Sequence, residues 1–128
     1  MPLPDEDRAW LGDQGVVFTE DTDPAAGSVV VFRGFPLPAP KFTIAATDIL
    51  TKLPPNYPDS GPDMFWVNPP ALLAPSGHEA RQTQVREPLL GSSWQRWSRH
   101  FDASAWRSGI DDIQTVYWRI VTALKEAQ

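Results

Sequence analysis

A chain of 128 residues with 41% hydrophobic and 21% charged side chains has the size and composition of one ordinary globular domain. It has no cysteine, which excludes disulfides, thiolate metal sites and cysteine nucleophiles. Eleven basic against sixteen acidic residues give a net charge of −5, which speaks against general nucleic-acid binding, since phosphate contacts need a cationic face.

Fourteen prolines and eight glycines point to short elements joined by fixed turns. With no apolar run of membrane-spanning length and no leader pattern, the chain reads as soluble and cytoplasmic, with no membrane partner. Residues 4–13 begin with Pro4 and three acids and carry Trp10 and Leu11, so a short helix is expected there. Val16–Thr19 and Ser28–Phe32 read as the first two strands, β-branched runs bounded by Gly and Pro. Phe35 to Pro40 carries three prolines and is expected to be an extended connector. Phe42 to Leu53 gives a third strand, regular over Phe42–Asp48, and Met64–Val67 a fourth. Between them lies a stiff loop, Pro54-Pro55-Asn56-Tyr57-Pro58-Asp59-Ser60-Gly61-Pro62, in which Tyr57 is expected to be buried and hydrogen-bonded. Residues 71–93 read as a long connection holding a solvent-exposed His78, and 94–106 as irregular with a helical turn.

The last element has the clearest pattern. Ile110, Ile113, Ile120 and Leu124 recur at helical spacing and should be buried, with Gln114 exposed. Ser108 and Asp111 resemble a capping box that starts the helix near Gly109. The expected architecture is α+β: one domain over residues 1–128, with a four-stranded antiparallel meander, a short N-terminal helix and a C-terminal helix.

Charge is distributed unevenly. Residues 1–24 carry seven acids against Arg8, whereas residues 80–107 carry five arginines against Glu87 and Asp102. The basic stretch suits an acidic protein partner; the plainer alternative is a solvated surface of mixed charge. Inside it lies Trp94-Gln95-Arg96-Trp97-Ser98-Arg99-His100-Phe101-Asp102. Tryptophans in such a run usually fill the core. A serine two residues before a histidine becomes a nucleophile only where the backbone lets the imidazole accept its proton. No conventional metal or phosphate motif is present, and with only His78 and His100 available neither a metal nor a cofactor is expected.

A wider pattern adds to this. Leu53-Pro54-Pro55, Tyr57-Pro58-Asp59, Pro62-Asp63-Met64-Phe65-Trp66, Asn68-Pro69-Pro70, Trp97-Ser98-Arg99-His100 and Trp106-Arg107 with Gly109 and Asp111 follow one another in a characteristic order. In that order the chain resembles the ubiquitin-conjugating-enzyme superfamily, most closely a bacterial branch. The resemblance implies that fold and a bacterial conjugation pathway, of the kind that serves antiviral defence. It also implies an activating enzyme, a ubiquitin-like modifier, a target protein and an isopeptidase as partners. Asn68-Pro69-Pro70 stands where the family has His-Pro-Asn, so Pro70 occupies the place of the oxyanion-supporting asparagine. Ser98, eight residues before Trp106, stands where the cysteine would be, and His100 where an aspartate often follows it.

Three readings of that serine remain open: a non-catalytic variant that only binds a modifier or activating enzyme, an active oxyester former, or a serine engineered to trap a conjugate. In the oxyester reading Ser98 accepts the modifier and His100 is the general base. Asp102 orients the histidine, and Arg96, Arg99 or Asn68 stabilises the oxyanion.

Overall fold

The computed structural model of the protein describes residues 3–101 and 103–128. Two helices, α1 (Asp5–Asp13) and α2 (Ile113–Glu126), flank a sheet region with strands β1 (Val17–Asp23), β2 (Gly27–Pro36), β3 (Ala46–Lys52), β4 (Phe65–Asn68), β5 (Leu72–Leu73), β6 (His78–Glu79), β7 (Arg86–Leu89) and β8 (Ser92–Trp97). The α+β class and the terminal helices agree with the sequence, but the main sheet has six antiparallel strands, not four, ordered β1-β2-β3-β4-β8-β7. β5 and β6 form a separate hairpin. No helix among the described residues is long and apolar enough to cross a membrane.

The apolar run Val29–Phe32 is continuous because both faces of the sheet are buried. Val30 and Phe32 face one core with Ile49, Phe65, Val67 and Trp97, while Val29 and Val31 face a second with Leu50, Trp66, Leu89 and Trp94. Both helices belong to the first core. Leu11 comes from α1, and Ile113, Val116, Ile120 and Leu124 form the buried stripe of α2. Each of these side chains contributes about 1.5–3 kcal/mol by leaving water.

Several boundaries move for identifiable reasons. β2 continues to Pro36, past a register shift between Phe32 and Phe35 at which Gly34 takes φ +62° and donates its N–H to Asp48. Phe42 makes only an isolated bridge to Leu73, so the third strand begins at Ala46. Trp94-Gln95-Arg96-Trp97 is a strand, not an irregular turn, and residues 86–89 pair with it. The helical turn expected within residues 94–106 is present as a 3-10 turn at Ala103–Ala105. α2 begins at Ile113, not near Gly109, because Gly109 has φ +80° and cannot be helical. Its capping box is Asp112 with Thr115. Ser108 donates instead to Asp59, and Ile110, expected in the core, is 65% exposed. Gln114 is exposed, as its position on the polar face requires.

Candidate functional site

The β4–β8 ladder positions the site. Phe65 pairs with Trp97, their rings stacked with centroids 5.4 Å apart. Beyond that pair the two chains continue side by side, which brings residues 98–101 alongside Asp63. Ser98 is half-buried, and its N–H donates to the Gln82 carbonyl at 3.0 Å. Its Oγ lies 3.2 Å from the Arg96 Nε, which donates to it. His100 is exposed, and its Nδ1 lies 3.1 Å from Asp63 Oδ2; the other Asp63 oxygen accepts the Phe101 N–H at 3.1 Å. An Nδ1–H donated to Asp63 leaves Nε2 as the nitrogen with a lone pair.

Two clefts meet at His100 and Phe101. The larger, about 690 Å³, is lined by Ser98, His100, Phe101, Trp118 and Thr122 among others. The smaller, about 450 Å³, includes Asp63, Ser60, His100 and Trp106. Arg119 of α2 lines both, with its guanidinium 5.1 Å from the Phe101 ring centre and 5.5 Å from that of Trp106. Trp106 is a packing residue. Its Nε1 donates to the Pro58 carbonyl at 2.8 Å, and its ring lies against Gly61 so closely that a Cβ there would fall 2.2 Å from it. The loop it fastens is the Tyr-Pro turn, where Tyr57 is buried and its peptide bond to Pro58 is cis.

The remaining candidates are placed elsewhere. Asn68 ends β4 at the far side of the ladder, opposite Asp48. It is three residues from Phe65, or about 10 Å along a strand, so the structure does not bring it to Ser98. The segment after it is held down separately, with Thr47 Oγ1 donating to the Pro69 carbonyl and Ala71 N–H to Gln95 Oε1. Arg99 stacks on Trp97, 4.8 Å to the ring centre, and donates to the Arg81 carbonyl; its half-buried position lowers its pKa by desolvation. Of the three proposed oxyanion donors, only Arg96 is within hydrogen-bond distance of Ser98. Asp102 lies outside the described residues.

Asp63 and Arg119 were not singled out from the sequence. Asp63 was visible only as part of the Pro62–Trp66 motif, and no spacing signal connects it with a histidine 37 residues later.

A protein-family model, Prokaryotic E2 family E, matches residues 3–127. No curated protein and no solved structure gives a significant match. The family match leaves out only the first two residues and the last, and on it the chain belongs to prokaryotic E2 family E, with the ubiquitin-conjugation-like role and the modifier and activating-enzyme interactions that membership carries.

Proposed function

We propose that this domain carries a ubiquitin-like modifier as an oxyester on Ser98 and transfers it to a target protein. The observations that support the reading are the pairing of Asp63 with His100 and the place of His100 and Ser98 on the wall of one cleft. A hydroxyl needs a base to become a useful nucleophile at neutral pH, and His100 Nε2 is the nitrogen left to serve. Ser98 Oγ attacks the activated C-terminal carbonyl of the modifier while its proton passes to Nε2. The leaving group of the activating enzyme departs from the tetrahedral intermediate and takes that proton. The bond to the activating enzyme is thereby exchanged for an ester to Ser98. An amine of the target then displaces Oγ, which recovers a proton.

Arg96 is the donor that accompanies the reacting oxygen, 3.2 Å away in the resting protein. Its cationic guanidinium is thereby held beside the reacting centre, where negative charge develops on the modifier's carbonyl oxygen. Asp63 takes the orienting part that the sequence suggested for Asp102. Arg99 and Asn68 have no part in this scheme, since their side chains are engaged or distant. An isopeptidase would reverse the final linkage.

The test is incubation with the cognate activating enzyme, modifier and ATP, followed by intact-mass measurement. A mass increment removed by mild alkali and absent in Ser98→Ala is the expected result. If the activating enzyme loads but this chain gains no mass, the domain is instead a binding module that displays the modifier or the activating enzyme.

A further inference from the structure

We infer that Glu87 is a positioning residue for Ser98: it holds the Arg96 guanidinium so that Nε–H faces the serine hydroxyl, with Lys52 steadying Glu87 from its other oxygen. The inference takes its catalytic meaning from the reading of Ser98 as acceptor, but its geometry stands apart from that reading. Glu87 Oε1 accepts from Arg96 Nη1 at 3.1 Å, and Glu87 Oε2 lies 3.4 Å from Lys52 Nζ. The ammonium of Lys52 also sits 4.1 Å from the centre of the Trp66 ring, and Trp66 is the cross-strand partner of Arg96. The chain of contacts therefore runs from β3 across β4 to β7 and β8 over one indole, and ends at Ser98 Oγ. These side chains are about 27–32% exposed, so solvent screens their charges only in part.

The guanidinium explains why one carboxylate at Nη1 controls a bond made by Nε. Its donors form a rigid planar fork, so fixing Nη1 fixes the plane and the direction of Nε–H. A free arginine side chain samples many rotamers, and it loses that freedom on being held in one place. On this partly open face nothing else described bonds the Arg96 head, so Glu87 is the group that confines it.

Charge and position make opposite demands on Glu87, and this separates them. As a mere negative charge near Ser98, Glu87 would oppose ionisation there. As the holder of Arg96 it favours ionisation, because it keeps a cation at hydrogen-bond distance. The experiment uses the Ser98→Cys protein, whose thiol is the only one in the chain. The rate of alkylation by iodoacetamide against pH reads the thiolate directly.

The expected result is a thiol midpoint that rises in Glu87→Gln by about half a unit to one unit, a full unit being tenfold in thiolate at neutral pH. Lys52→Met moves it the same way by less. In an Arg96→Met background the sign reverses, and adding Glu87→Gln lowers the midpoint, since only the carboxylate's repulsion is left to remove. A midpoint that stays or falls in Glu87→Gln while Arg96 is present overturns the inference. Circular dichroism on each variant confirms that the fold compared is the same. No modifier is involved, so failure of Ser98 to load would leave this measurement standing.

Discussion

The Tyr57 hydroxyl donates to Asp7 Oδ2 at 2.5 Å, across 50 residues of sequence, with both side chains buried. The same carboxylate receives the backbone N–H of Ile113 at the start of α2. One buried oxygen pair thus ties α1, the Tyr-Pro loop and the first turn of α2 together. Tyr57→Phe keeps the ring and removes the donor, leaving a buried acceptor short of a partner. This should cost about 1–3 kcal/mol. A urea melt read by circular dichroism would show it as a lower midpoint with an unchanged slope.

Two carboxylates should give acid stability opposite slopes. Burial raises the Asp7 pKa above its ordinary value of 3.8. As pH rises past 3.8 the unfolded chain releases this proton before the folded one does, so Asp7 stabilises the fold less and less. Asp111 behaves in the other direction: the Arg107 side chain and N–H and the Thr115 hydroxyl lower its pKa from 3.8 to about 2. Its contribution is complete above 3.8 and is lost as pH falls towards 2. Thermal melting against pH should therefore show a smaller loss below 3.8 in Asp111→Asn, whereas Asp7→Asn should lack the gain that acidification towards 3.8 brings to the parent protein.

Gly61 is needed for space rather than for a special backbone angle. A Cβ at that position would sit within 2.2–2.7 Å of three Trp106 ring atoms. Gly61→Ala should push the indole off the Tyr-Pro loop and break its bond to Pro58. Overpacking of this kind costs about 1–3 kcal/mol. Tryptophan fluorescence should shift to the red, and Trp106→Phe should relieve part of the cost.

Asp63→Asn removes the charge that holds His100 Nδ1–H without changing the size of the side chain. General-base help is worth about a hundredfold or more. Serine loading should therefore fall by about tenfold to a hundredfold in Asp63→Asn and further in His100→Ala. In the Ser98→Cys background the same changes should matter far less, because a thiol ionises with less assistance. That adduct, a thioester, should be cleaved by a thiol reductant that leaves the serine ester intact. Equal sensitivity in both backgrounds would show that Asp63 acts only by bonding the Phe101 N–H.

What the sequence disclosed follows from which faces are buried. α2 was legible because its apolar side chains form one stripe with polar residues opposite. Its start is not legible, because Ser108 and Asp111 imitate a box that Asp112 and Thr115 make in fact. β8 was illegible because Trp94 and Trp97 face different cores, with the fully buried Gln95 between them. No apolar–polar alternation survives in such a strand. β7 was hidden by Pro88, which a central strand would not accept but an edge strand does. At the site, Ser98 and His100 are neighbours in the chain and could be read together. Asp63 reaches them only through the β4–β8 register, which leaves no spacing to find.

That strand order also bears on self-association. The main sheet ends in β1 on one side and β7 on the other. β7 contains Pro88, which has no N–H to offer a docking strand, and Arg86 and Glu87 add charge beside it. β1 exposes Asp21, while Glu20 is paired with Arg8 and Asp23 is buried. Two copies meeting by their β1 edges would bring the exposed Asp21 of each to the seam, and a copy meeting β7 would find the hydrogen-bonding row interrupted. The two outer strands therefore discourage edge-to-edge stacking into fibres, a protection that a six-stranded sheet with both ends open requires.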